Sequence, residues 1–348
     1  MKSGLFCACF VLLAAGCATG PQRAVAPPKP GGALVAATAL ARAGQGTDAY
    51  AAGRQAAESL KAKLSGVEPH VVLLAECFVD KADKARVAKG VASVFGNAKV
   101  VGLAAYGIYT RDGVADRQAA GLLALGGDGI SVRTALVRDL KSKGLTLERD
   151  EAALKAALGG AGRSLAEQLP ANGQTRLLVV LADAHSPKNQ LLLDGVQSVA
   201  GPKLAVTGGS ANKNAGQNWI HYQGRLYTDA AVALAIDGEV DVAQGGAQAK
   251  DNQAVLDSAR AVTSGLRARS PGAPTALLAF DCAGRKGKLE AIEEEQKAVL
   301  EGLGSEGALF GVWCAGEFGC TEDSAALPVG RGWHIMGTLL RKRPASPR

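Results

Sequence analysis

Three stretches of the chain follow one plan: a short apolar run, a mixed run, and a second apolar run. The first takes residues 71–77, 81–94 and 99–103; the second 177–183, 189–199 and 204–209; the third 276–282, 288–303 and 308–312. The apolar runs are too brief for buried helices and fit strands covered on both faces, while the mixed runs carry helical spacing. Each stretch is therefore predicted as a β-α-β unit. The predicted fold class is α/β, with repeated β-α-β units in largely parallel sheets and additional antiparallel hairpin strands.

The remaining pattern fills the gaps. A helix is expected over 47–64 with Thr47 as its N-cap, and another over 150–169, interrupted at Gly159-Gly160. Residues 219–222 and 225–227 alternate around Gln223-Gly224 and read as a hairpin. Strands follow at 230–236 and 240–242, a helix at 251–266, and a closing strand at 333–340. The repeat also aligns polar residues. An acid closes each first strand (Glu76, Asp183, Asp281), and a glycine, Gly102, Gly208 or Gly311, marks the end of each second strand 26, 25 and 30 residues later. Parallel sheets bind ligands at their C-terminal strand ends, so these acids mark a candidate crevice. The plainer alternative is that acid and glycine only cap and turn each unit.

The first residues stand outside this pattern. Lys2 and an apolar run over 5–15 read as an export signal, ending in Leu13-Ala14-Ala15-Gly16-Cys17. That junction resembles the bacterial lipoprotein box, which implies cleavage before Cys17, lipidation of Cys17, and anchoring in the cell envelope. Ala18, where an Asp would retain a lipoprotein at the inner membrane, implies the outer membrane facing the periplasm. The alternative is an ordinary secretory signal with a chance cysteine. The Pro-rich stretch that follows reads as a tether. The expected organisation is a signal peptide over 1–16, a lipidated Cys17 and tether over 17–46, a first domain over 47–250, a shorter second domain over 251–340, and a basic tail over 341–348.

Composition narrows the function classes. A hydrophobic share of 47% over 348 residues supplies a real core and excludes global disorder. No apolar run reaches the ~18 residues of a spanning helix, which argues against a helical channel or transporter. The net charge of +7 is concentrated at the ends: residues 17–340 hold 34 basic and 32 acidic side chains. A nucleic-acid partner is therefore not expected. The mature chain keeps Cys77, Cys282, Cys314 and Cys320, whose pairing the sequence leaves open. No CxxC or HExxH occurs, so neither a metal nor a cofactor is expected.

From Asp183 through Leu193-Asp194-Gly195 to Thr207-Gly208-Gly209-Ser210-Ala211 and the hairpin, the text resembles the N-terminal domain of the FIST family. Phe280-Asp281-Cys282-Ala283-Gly284-Arg285, and then Gly311 through Glu317 to Gly319, resemble its C-terminal domain. The resemblance spans about residues 47–340. It implies a sensory module of bacterial signal transduction that binds a small ligand such as an amino acid, without a catalytic mechanism. No signalling module follows in the chain, so a separate signalling partner is implied. The first repeat departs from the family: Gly102-Leu103-Ala104-Ala105-Tyr106-Gly107 lacks the hydroxyls and acid usual at that turn.

The candidate ligand-binding residues are Asp183, Gly208, Gly209, Ser210, Cys282, Arg285 and Glu317. Arg285 offers a planar fork for a carboxylate, Glu317 or Asp183 an acceptor for an ammonium, and the glycine turn bare backbone donors. Structural roles compete at each: a buried Cys282, a Glu317–Arg285 pair, a plain turn at 207–214. Two other function classes stay open, a thiol-dependent enzyme using Cys282 with His334 and Glu317, and a structural lipoprotein without ligand.

Overall fold

The computed structural model describes residues 27–29, 32–44, 46–322 and 327–343. The expected signal peptide and Cys17 lie outside the described residues.

One unit is built three times. The first runs β1 (Val35–Arg42), α1 (Ala49–Lys63), β2 (Pro69–Glu76), α2 (Lys81–Phe95), β3 (Val100–Ala104), β4 (Gly107–Thr110), β5 (Gly113–Ala115) and β6 (Ala119–Gly126). The second runs β7 (Ile130–Arg138), α3 (Leu147–Gln168), β8 (Thr175–Ala182), α4 (Asn189–Ala200), β9 (Ala205–Ser210), β10 (Ile220–Tyr222), β11 (Arg225–Tyr227) and β12 (Ala230–Gly238). The third runs β13 (Val240–Gln248), α5 (Asn252–Arg269), β14 (Ala276–Cys282), α6 (Ala283–Lys286), α7 (Ile292–Leu303), β15 (Ala308–Cys314), β16 (Glu317–Gly319), β17 (Val329–Arg331) and β18 (His334–Lys342). The division expected at 250/251 falls between β13 and α5.

Each unit makes a six-stranded sheet, but not alone. The orders are β1-β6-β2-β3-β10-β11, β7-β12-β8-β9-β16-β17 and β13-β18-β14-β15-β4-β5. The hairpin that follows β3 thus completes the third sheet, that after β9 the first, and that after β15 the second. The three sheets close a ring by exchanging hairpins. Only β2–β3, β8–β9 and β14–β15 pair in parallel, and the other neighbours are antiparallel. The fold is the mixed α/β class expected, with a larger antiparallel share, because the short strands added to each β-α-β core arrive by hairpins.

Burial sorts into an inner and an outer layer. One core draws on all three sheets, including Leu73, Ala75, Leu103, Leu181, Phe280 and Val312. Three outer cores lie between each sheet and its own helix pair. Strands sandwiched this way need apolar residues on both faces. That is why their runs lack alternation.

Several expectations are corrected. Residues 35–42 are strand β1, paired with β6 over its whole length, rather than tether. Asp48, not Thr47, caps α1, with Oδ1 accepting from Ala51 N–H at 2.8 Å. α3 continues through Gly159-Gly160, because Gly162 and Gly195 let α3 and α4 touch backbone to backbone: a Cβ at Gly162 would stand 2.0 Å from Leu192 O. Residues 104–138, assigned nothing from the sequence, form four strands whose Ala and Gly dilute the apolar signal. Arg341 and Lys342 belong to β18, and Arg341 and Arg343 pair with Asp241, so residues 341–343 are part of the fold rather than of a basic tail.

The repeated glycines sit within strands, not at their ends. At Gly102 and Gly208 a Cβ would meet the carbonyl oxygens of Leu74 and Val180 at 2.0 and 1.8 Å. At Gly311 it would enter the Tyr109 ring. Glycine is required by close approach there.

Candidate functional site

The strand ends gather at one pole. Beyond β3, β9 and β15 the chains are laced together: Asn212 N–H donates to Ala104 O, Ser210 N–H to Gly316 O, and Tyr106 N–H to Trp313 O. All three acids stand at this pole, yet in two rows. Strand registers align Glu76 with Ala182 and Asp281, which places Asp183 one residue further, level with Cys77 and Cys282. One step along a strand reverses the face.

Glu76 and Asp281 therefore face the helices. Glu76 is 3.0 Å from Lys84 Nζ, a lysine of α2 that is fully buried with it, and accepts from Phe78 N–H at 2.9 Å. Asp281 takes Arg285 Nε at 2.8 Å, and Arg285 Nη2 reaches Glu295 at 2.6 Å. Arg285 also donates to Ser258 Oγ and to Val255 O, and it is wholly buried. Its fork is spent inside the protein, which corrects the expectation that it meets a ligand carboxylate.

Asp183 faces the other way. Its Oδ2 accepts from Asn218 Nδ2 and Asp229 N–H, both at 2.7 Å. Burial nonetheless raises its pKa to about 6, against the two donors. His185 Nε2 lies 3.2 Å from Asp183 Oδ1 without hydrogen-bond alignment, and burial, then Lys213 and Lys188, hold its pKa down at about 4.

Gly208, Gly209 and Ser210 are also reassigned. They belong to β9, buried and paired with β8 on one side, and Gly208 and Gly209 with β16 on the other, so they form no anion-cradling turn. Ser210 Oγ donates to Ala184 O at 2.8 Å. Gly209 has a different use. In the first and third sheets the corresponding pairs facing the inner core are Leu103–Ile220 and Val312–Ile108. In the second the pair is Gly209–Glu317. A Cβ at 209 would stand 2.7 Å from Cys314 Sγ and 2.8 Å from Phe280.

Glu317 is thus a carboxyl where both sister repeats carry isoleucine. It has no exposed surface, and burial raises its pKa well above the ordinary carboxylate range. Its company is the Cys282 thiol, Cys314 Sγ at 4.0 Å from Oε1, and His334 N–H donating to Oε2 at 3.3 Å. Burial, reinforced by Glu317, pushes the Cys282 thiol up to about 12. The His334 ring turns to Gly332 O through Nδ1 at 2.8 Å, so its backbone rather than its imidazole engages Glu317.

The segment over Glu317 is open on its outer side. Gly332 and His334, with Arg331 and Gln248, line a concavity of about 530 Å³. Trp333 between them holds a left-handed φ of +66°, uncommon for a bulky residue, and its ring lies against Gly284. Arg331 and Trp333 are functional candidates the sequence reading missed. Only the flanking glycines, 330 and 332, hinted at an unusual turn.

These observations define a three-fold β-α-β ring with one broken repeat at its strand ends. The sequence model of the FIST N domain matches residues 71–253, more than half of the chain, and the chain belongs to the FIST family. Membership points to a sensory role with a small ligand. No curated protein matches the chain in sequence. Among solved structures it is similar to cyanuric acid hydrolase from A. caulinodans (10% identity, TM-score 0.48, covering 90% of this chain and 100% of that one). A second cyanuric acid hydrolase structure gives 12%, 0.46, 89% and 99%. PurLQS from Thermotoga maritima gives 10%, 0.32, 93% and 75%. None of these likenesses bears on the chemistry of the site.

Proposed function

We propose that this chain is a lipid-anchored envelope protein that binds a small polar ligand, an amino acid being the class that fits, in the concavity outside Glu317. The observation that carries the reading is the Gly209–Glu317 pair, which puts a carboxyl where both sister repeats carry isoleucine, bonded to the His334 backbone on the wall of an open concavity. An acid buried at that cost needs a use. Arg331, exposed on the wall, supplies the carboxylate partner that Arg285 does not, and Glu322, exposed on the same wall, supplies the partner for an ammonium. The Gly16-Cys17 junction supports the anchor. Binding is better supported than thiol catalysis, since a Cys282 thiol near 12 yields almost no thiolate at neutral pH.

A thermal-shift screen over amino acids and small polar metabolites tests this. Ligand at a hundredfold its Kd stabilises the native state by about 2.7 kcal/mol. The expected result is a selective shift that Glu322→Gln and Arg331→Ala each abolish and Cys282→Ser leaves in place. A ligand whose shift survives both Glu322→Gln and Arg331→Ala places the site elsewhere.

A further inference from the structure

We propose that the opposite pole of the ring, at the N-terminal ends of the strands, carries a docking face for the phosphates of an anionic bilayer. A concavity of about 450 Å³ there is lined by Arg176, Lys203, Arg269, Arg341 and Arg343, with Asp241 as its one carboxylate. Asp241 does not cancel the cluster; it fixes two of the guanidinium groups, at 2.7 Å from Arg341 and 3.0 Å from Arg343. Lys203 and Arg269 are exposed and pair with no carboxylate among the described residues; Arg269 makes one long contact, 3.4 Å to Gln244 O. Around the rim, Asp237 is held by Arg133 and Asp128 by Lys29, and Glu239 is a further acid at this end. Guanidinium forks and an ammonium around a shallow basin suit phosphate oxygens.

The chain's own path says which phosphates. Its described N-terminal end enters at this basin: a Cβ at Gly238 would touch Pro28, Arg176 Nε donates to Gly238 O at 3.4 Å, and Arg343 N–H donates to Glu239 O. Pro27, the first described residue, stands 10 positions after Cys17. Fully extended, that length spans at most ~35 Å. A chain acylated at Cys17 therefore holds this face close to the lipid surface, with the ligand concavity at the far pole. The orientation rests on the proposed anchoring; the charge complementarity does not.

The test separates the two. The chain from residue 17, made without acylation as Cys17→Ser, is sedimented with phosphatidylcholine vesicles and with vesicles also containing phosphatidylglycerol. Binding is expected only to the latter and is expected to fall with salt. Each surface cation contributes about fivefold in affinity, so Lys203→Ala/Arg269→Ala together weaken binding roughly thirtyfold. Arg86→Ala/Lys155→Ala, on the helical flanks, leaves it unchanged. Equal binding to neutral vesicles, or equal loss in both double variants, overturns the proposal. So does inorganic phosphate that displaces the protein fully and raises its melting temperature, which assigns the basin to a free anion. Because the acyl chains are absent throughout, failure here says nothing against anchoring through Cys17.

Discussion

At the scale of single residues, the buried acids divide by what they face. Glu76 pairs with Lys84, and Asp281 shares Arg285 with Glu295; those contacts hold the helices to the sheets, while burial and Glu295 still push the Asp281 pKa well above its ordinary value. Asp183 has neutral donors only, and its raised pKa has a consequence. A carboxyl that holds its proton more tightly folded than unfolded favours the native state below its unfolded pKa of ~3.9, and that advantage is lost as pH rises through about 6. Asp183→Asn keeps an oxygen for both donors and removes the titration. The variant is expected to gain on the wild-type chain, by on the order of 2 kcal/mol, between pH ~4 and ~6. Denaturation midpoints across that range check it; parallel curves would mean that Asp183 titrates normally. Asp183 was legible in the sequence as an acid at a strand end, but not its face. Leu177, Val179 and Leu181 share its row, and Leu178, Val180 and Ala182 are equally apolar, so no alternation told one row from the other.

At the scale of elements, glycine decides which surfaces meet. α3 holds Gly159, Gly160 and Gly162, and from the sequence alone the Gly159-Gly160 pair reads as a break. Helix propensity penalises each by roughly 0.5–1 kcal/mol against alanine. Packing treats them differently. A Cβ at Gly160 would meet nothing nearer than Arg163 at 3.8 Å, whereas one at Gly162 would strike Leu192 O at 2.0 Å. Gly160→Ala is therefore expected to stabilise by about 0.5–1 kcal/mol, and Gly162→Ala to destabilise by at least ~2 kcal/mol. Urea midpoints of the two variants decide it. If both move the same way, propensity alone governs α3 and the close crossing of α3 on α4 is not a constraint. β9 shows the same logic: Gly208 and Gly209 were legible as glycines, while the strand pressed on each was not.

At the scale of the molecule, the ring sets a polarity, with strand C-termini and Glu317 at one pole and the basic basin with the chain's entry at the other. Anchoring would give that polarity a direction in the envelope. Cys17→Ser is expected to move the protein from the detergent-rich to the aqueous phase on temperature-induced partitioning, since two or more acyl chains anchor stably and none does not. Unchanged partitioning of that variant would remove the anchor from the proposal.

The sequence by itself determined the three β-α-β units and the helices between them, because a strand covered on both faces and an amphipathic helix each write a local pattern of polarity. It also determined the family, through the stretch from Asp183 to the hairpin, which lies within the matched residues 71–253. Only the tertiary structure decided that hairpins pass from each unit to the next sheet, since pairing between strands about a hundred residues or more apart leaves no periodic trace. Only it showed that Arg285 is consumed by Asp281 and Glu295, and that Glu317 stands where Ile108 and Ile220 stand in the sister repeats. Which polar side chain remains free for a ligand depends on what every neighbour has already taken, and neighbours are fixed by folding, not by order along the chain.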